Sequence, residues 1–264
     1  MIKILDEKFK IRISLFLRQT LELDAIDYNF VKTDGKPNLN SFLNKLIPNL
    51  LKLKKIRRKR IFSSVANVFG IPNNDMAGAE KLIYELNAIY DEVYFSDAEL
   101  NELSEVVWIR PTKDNIAIFD EIQDSETQIT GLDMSSYLRT LLNEFARFPK
   151  YKKEQIVFLD ECAITLRARN HANILKFRYE GDLRRAYVFG CVYDYLNEQG
   201  NYILCLDLTL NIICRYQVCE MEALHILDRK YRPSSKITGL CQKYVNEALW
   251  IDDYVLEIGE EDEE

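Results

Sequence analysis

Histidine is almost missing from this sequence: among 264 residues only His171 and His225 occur. No glycine-rich phosphate loop, H-E-x-x-H or G-x-S-x-G is present either, so the usual signatures of phosphate-cradling, metal-dependent and serine-nucleophile enzymes are lacking. The adjacent carboxylates Asp160 and Glu161 fall on a predicted helix. Neighbours there point about 100° apart, which excludes them as an acid–base pair. None of the six cysteines, at 162, 191, 205, 214, 219 and 241, forms a C-x-x-C pair, and neither histidine offers the spacing zinc requires. They read as small apolar thiols in a reducing compartment. No apolar run approaches the ~18 residues of a membrane span. Residues 1–17 alternate charged with apolar side chains and lack the apolar stretch of a secretion signal. The expectation is a non-catalytic, cytoplasmic protein without metal or cofactor.

What is present is apolar residue in quantity (47%) with 29% charged residues, enough for two ordinary domains with their own cores. The net charge of −7 is unevenly spread. Glu260 to Glu264 carry five negative charges and read as a solvated tail, leaving the remainder near −2. Lys52 to Arg60, KLKKIRRKR, holds seven cations in nine residues without an acid. Local clusters of this kind set phosphate affinity by displacing counterions, so Lys54, Lys55, Arg57, Arg58, Lys59 and Arg60 are candidate nucleic-acid contacts.

The chain also repeats itself. NLNSFLNKLIPNLLKLKKIRRKRIF, from Asn38, aligns without a gap on DMSSYLRTLLNEFARFPKYKKEQIV, from Asp133. Phe42 meets Tyr137, Leu43 meets Leu138, Leu46 and Ile47 meet Leu141 and Leu142, and Leu50 meets Phe145. Apolar residues at i, i+1, i+4, i+5 and i+8 predict a helix with one buried stripe. Asn38 and Asp133 stand as caps, shortly after Gly35 and Gly131. Before each copy come a predicted helix (residues 18–31, and about 115–123) and a predicted strand. In the first strand Phe9, Ile11 and Ile13 alternate with Lys10, Arg12 and Ser14. The second runs over residues 106–111, with Val106, Trp108 and Arg110 on the equivalent face.

Strand, helix, glycine turn and helix resemble the ribbon-helix-helix family of DNA-binding proteins. That resemblance implies a two-stranded antiparallel ribbon formed by dimerisation, with Lys10, Arg12 and Ser14 reading bases in the major groove. The second copy, with Val106 and Trp108 on that face, is poorly suited to reading bases and better suited to packing on protein. Whether the two copies pair within one chain or with a second copy stays open. Between them residues 76–94 read as a helix with Leu82, Ile83, Leu86, Ile89 and Tyr90 inward, without recognisable chemistry.

Beyond residue 156 a helix over about 154–172 leads into short β-forming segments: 174–180, a turn at Gly181-Asp182, 185–195, a turn at 197–200, 201–207 and 212–218. These predict a small SH3- or Sm-like barrel. The order Tyr179, Gly181, Arg184-Arg185, Asn201-Tyr202-Ile203, Asp207 and Arg215-Tyr216 resembles the WYL domain, with Asn in place of Trp, Ile in place of Leu, and Phe189 where a proline is usual. WYL domains bind nucleic acid or nucleotide-like ligands. The resemblance therefore implies a ligand surface at Tyr179, Arg184, Arg185, Tyr202 and Arg215, where guanidinium forks take phosphate and rings stack on bases.

The expected layout is α+β: a ribbon-helix-helix-like unit (1–62), a helical connector (63–104), a second, degenerate unit (105–153), a WYL-like β-barrel (154–225) and an extension with an acidic tail (226–264). This combination resembles the WYL accessory proteins of type VI-D CRISPR systems. It implies a homodimer that binds single-stranded RNA and stimulates an RNA-guided ribonuclease. The rival expectation is a WYL transcription regulator that holds operator DNA by its first ribbon. A third is a protein-binding scaffold using Trp108.

Overall fold

The computed structural model describes residues 8–69, 103–192, 201–248 and 256–257, without the side chains of residues 56–69, 129, 247–248 and 256–257. The predicted helix over 76–94, the turn at 197–200 and the acidic tail lie outside the described residues. So do the side chains of Arg57, Arg58, Lys59 and Arg60. Contacts divide the chain into two units, Met1–Phe148 and Pro149–Glu264.

The first unit is built from β1 (Phe9–Ile13), α1 (Leu15–Asp27), α2 (Leu39–Phe69), β2 (Glu105–Ile109), α3 (Ile116–Glu121), a π-helical turn (Ile122–Glu126), α4 (Thr127–Thr130) and α5 (Met134–Ala146). The internal repeat governs its core. Asn38 Oδ1 accepts from the Ser41 amide at 3.2 Å, and Asp133 Oδ1 accepts from the Ser136 amide at 2.7 Å, so both copies start their long helix with the same cap. Gly35 and Gly131 both take positive φ (77° and 70°) in the turn before it. Phe42, Leu43, Leu46, Ile47 and Leu50 are buried, as are Tyr137, Leu138, Leu141, Leu142 and Phe145, and the Phe42 and Phe145 rings meet edge-on at 6.1 Å.

The two strands pair with each other. β1 and β2 form an antiparallel ribbon with Ile11 opposite Val107 at its centre, and Ile11, Ile13, Val107 and Ile109 are buried beneath it. Because the hydrogen-bond ladder closes within one chain, the ribbon itself does not call for a second copy.

Pro48 lies inside α2. It has no amide hydrogen for the Asn44 carbonyl four residues back. Asn115, from the second copy, fills that gap: its Nδ2 donates to the Asn44 carbonyl at 2.6 Å. The Asn44 side chain in turn donates to the Arg110 carbonyl (2.8 Å) and accepts from the Thr112 amide (2.9 Å), while Asn40 accepts from the Arg110 amide (2.8 Å). Three asparagines thus fasten the end of β2 to the start of α2.

The second unit holds α6 (Lys150–Val157), α7 (Leu159–Asn170), β3 (Asn173–Tyr179), β4 (Asp182–Val192), β5 (Tyr202–Asp207), β6 (Ile212–Gln217), a 3₁₀ turn (Val218–Glu220), β7 (Glu222–Lys230), α8 (Ser235–Ala248) and β8 (Leu256–Glu257). The helix predicted over 154–172 is two helices meeting at Phe158. The hairpin turn is Glu180–Gly181, both at positive φ, one residue earlier than predicted.

The closed barrel is not found. The strands form one six-stranded antiparallel sheet in the order β7-β3-β4-β5-β6-β8, and no pairing joins β7 to β8 among the described residues. The strand that changes the count is β7, which runs through the boundary expected at 225 and extends the sheet beyond β3. Central β5 is buried along its whole length. Its Tyr202, Leu204 and Leu206 pack with Ile213 and with Ile237, Cys241 and Tyr244 of α8. Its opposite face shares a side of the sheet with Ala186, Val188 and Cys214, and α7 runs against β3, β4 and β7.

Candidate nucleic-acid interface

The outward face of the ribbon is set by the pleat: with Ile11 and Ile13 turned to the core, Lys10 and Arg12 must point away. Both are exposed, and register places Lys10 opposite Trp108 and Arg12 opposite Val106. Trp108 is 53% exposed, with the Lys10 ammonium 5.9 Å from its ring centroid. Arg110, just past β2, is exposed too. The backbone of Arg12 is held from α5: its amide donates to Ser135 Oγ at 3.4 Å and its carbonyl accepts from Arg139 at 3.1 Å. The ribbon is braced from the other side by Arg18, which bonds Glu105 at 2.6 Å and Glu22 at 2.9 Å. The result is a firmly held strip with cations along one strand and an indole on the other.

Ser14 is not part of that strip. β1 ends at Ile13, and the Ser14 hydroxyl caps α1 by accepting from the Leu17 amide at 3.1 Å. In the basic run, Lys55 is ion-paired to Glu121 and the Lys54 ammonium sits 5.0 Å from the Tyr137 ring centroid. Tyr137 is buried and donates from its hydroxyl to Glu126 at 2.9 Å. Both lysines therefore serve contacts within the first unit.

The five residues singled out in the second unit do not converge. Register puts Tyr179 and Arg184 on one side of the sheet, with Asp207 and Tyr216, and Arg185, Tyr202 and Arg215 on the other. Tyr202 is 3% exposed in the core under α8, with the Arg215 guanidinium 5.3 Å from its ring centroid; no face of that ring is open for a base. Arg184 is tied to Asp182 at 2.9 Å, its side chain 16% exposed. Tyr179 donates to Glu220 at 2.5 Å, and its ring lies 4.6 Å from that of Tyr216. Burial, and then the Glu220 carboxylate, push the Tyr179 phenol well above its ordinary range. Tyr216 donates to Asp207 at 2.5 Å and is raised in the same way, by burial first and Asp207 next. Asp207 also accepts from the Thr209 and Leu210 amides at 2.7 and 3.1 Å. These groups form a buttress of the fold, and of the five only Arg185 is freely exposed.

Asn201, at the position where the WYL pattern has Trp, is a buried polar knot. Its Nδ2 donates to the Tyr151 carbonyl (3.2 Å), its Oδ1 accepts from Gln155 (3.0 Å), and its amide donates to Glu154 (3.2 Å). Burial raises the Glu154 carboxyl above the usual carboxylate range, against the pull of its bonds from Asn201 and Cys219. Cys219 is pushed up to about 12, by burial and then by Glu154.

The fold is shared with a CRISPR Cas-related protein. That crystal structure aligns with 92% of this chain and 71% of its own at a TM-score of 0.61 and 14% sequence identity. No family model matches the chain, and no curated protein matches it. Among the described residues no three His, Cys, Asp or Glu side chains cluster as metal ligands, and no helix is long and apolar enough to cross a membrane.

The alignment of half-buried Lys176 and exposed Arg178 on β3 with exposed His225 on β7 was not visible in the linear sequence. Only the register of three strands brings them beside Arg185.

Proposed function

We propose that this protein is a non-catalytic, nucleic-acid-binding accessory factor of a CRISPR system, which binds single-stranded RNA in the cytoplasm and stimulates an RNA-guided ribonuclease. The observation that carries the reading is the ribbon's outward face: Lys10, Arg12 and Arg110 exposed around a Trp108 that is itself half open. Cations track a phosphate backbone, and an exposed indole stacks on unpaired bases. An indole has no hydrogen-bonding edge for reading paired bases beyond one N–H donor, so the strip suits a single strand better than a duplex. The fold shared with a CRISPR Cas-related protein supports the system to which it is assigned.

In this reading the first unit is a ribbon-helix-helix module whose two halves lie in one chain, and the sheet of the second unit is an opened relative of the WYL domain. A homodimer is not needed to complete the ribbon. The second reading, a regulator holding operator DNA, draws on the same ribbon, because a two-stranded antiparallel ribbon fits the major groove and Lys10 and Arg12 are placed to enter it.

The test is a titration of the purified chain with a labelled single-stranded RNA and a duplex DNA of equal length, at two salt concentrations. Trp108 fluorescence should quench on RNA, and Trp108→Ala should weaken RNA binding by about tenfold, the loss of ~1–3 kcal/mol per stacked base. Preference for the duplex, lost on Arg12→Ala and kept on Trp108→Ala, would transfer the function to operator binding. Added to an RNA-guided ribonuclease of a type VI-D CRISPR system, ribbon-intact protein should raise target cleavage and the Trp108→Ala protein should not.

A further inference from the structure

The sheet of the second unit carries a row of three cations, Lys176, Arg178 and Arg185, with His225 beside them, on one face. Lys176 on β3 is opposite Arg185 on β4 and opposite His225 on β7, so the three side chains stand abreast on one face. Two residues along β3, Arg178 continues the row on the same face. Arg178, Arg185 and His225 are exposed and Lys176 is half-buried. Among the described residues none of the four has a carboxylate at ion-pair distance, although Glu222 stands opposite Arg178 in register. Like charges directly opposite one another weaken a sheet, and Lys176 and Arg185 are such a pair; the one acid in register with the row, Glu222, stands across from Arg178. The chain does not lack acids to place there, with 42 Asp and Glu against 35 Lys and Arg. Next along this face the row ends where Tyr187 and Tyr231, their rings 5.0 Å apart, pack half-buried against the cluster under α8.

We propose that Arg185, Lys176 and Arg178, with His225 beside them, form a track for the phosphate backbone of single-stranded RNA. The proposal rests on the RNA reading above and adds a second contact surface, separate from the ribbon. Adjacent strands are about 4.8 Å apart and alternate residues along one strand about 6.6 Å, so the cations are spaced like successive phosphates of an extended strand. Cationic surfaces of this kind track the backbone of a single strand.

The experiment uses the full chain and a fluorescein-labelled 20-nucleotide oligouridylate, with binding followed by anisotropy from low to high salt. Three forms are compared: wild type, the triple variant Lys176→Gln, Arg178→Gln, Arg185→Gln, and a charge-matched control, Lys32→Gln, Lys36→Gln, Arg169→Gln. Each single-strand phosphate contact contributes ~0.7 to the slope of log affinity against log salt, so the triple variant should lose about 2 from that slope and the control nothing. Free of RNA, the triple variant should melt no lower than wild type, since it relieves a like-charge row. RNA should raise the melting temperature of wild type more than that of the variant. Equal losses in variant and control, or displacement of the RNA by an equal mass of duplex DNA, would overturn the track. A triple variant that binds like wild type while Trp108→Ala loses binding would overturn the track and leave the ribbon reading standing. A wild type that binds no single-stranded RNA at any salt would remove both.

Discussion

The proline inside α2 supplies a sharp test of how the two halves of the first unit depend on each other. Asn115→Ala removes the Nδ2 that serves the Asn44 carbonyl. Asn44 is buried, and its carbonyl has no amide four residues on to turn to, because that residue is Pro48. An orphaned buried carbonyl costs ~1–3 kcal/mol, so Asn115→Ala should destabilise the unit by about 2 kcal/mol. With Pro48→Ala, residue 48 regains an amide hydrogen directed along the helix at that same carbonyl. Asn115→Ala should then cost about 1 kcal/mol or less, a coupling of roughly 1–2 kcal/mol in the double-mutant cycle. The measurement is urea unfolding followed by Trp108 fluorescence, in a Trp250→Phe background so that one indole reports. Pro48→Ala alone should stabilise, since a proline in a helix interior is ~3 kcal/mol less favourable than alanine. Equal costs of Asn115→Ala in both backgrounds, within about 0.5 kcal/mol, would refute the idea that this asparagine substitutes for the missing helix bond.

Four further outcomes concern the second unit. Asn201→Ala should cost about 2 kcal/mol through loss of the Gln155 and Tyr151 bonds, read as a thermal midpoint lowered by several degrees. Asn201→Asp should cost more at pH 8 than at pH 5, since it places a second carboxylate beside Glu154. Glu154→Gln should stabilise increasingly as pH rises. A carboxyl whose pKa is raised on folding contributes stability that is complete below the ordinary carboxylate value and is lost as pH climbs through the folded value, and the amide escapes that loss. Midpoints measured at pH 5 and pH 8 should separate the variant from wild type at the higher pH. Gly190→Ala would set a Cβ 3.0–3.2 Å from the buried Leu204 side chain, costing about 1–2 kcal/mol in chemical denaturation.

The buried stripe shared by Phe42 to Leu50 and Tyr137 to Phe145 was legible in the sequence because helical spacing and hydrophobicity agree there. The phase of β1 was legible for the same reason at period two. Tyr202 was misread because β5 is covered on both faces, so its pattern lacks the alternation that separates an inward ring from an outward one. β7 escaped notice as an edge strand whose charged residues fall on both sides of Leu224, Ile226 and Leu227. Lys54 and Lys55 show the limit of reading charge runs: composition announces a cationic stretch, but the ring and the carboxylate that engage these two come from residues far along the chain. The row through Lys176 depends on register across three strands, which no local pattern encodes.

The closing of the ribbon within a single polypeptide changes what it can recognise. A ribbon made by two identical chains shows each side chain twice, related by a dyad, and is matched to palindromic targets. Here the halves carry different residues, Lys10 and Arg12 on one strand and Val106 and Trp108 on the other. Such a ribbon has a polarity: under the proposed nucleic-acid-binding role it would distinguish the 5′ from the 3′ direction of a strand, and its assembly does not weaken as the protein is diluted. The two strands are thus free to carry different chemistry, cations on one and the exposed indole of Trp108 on the other.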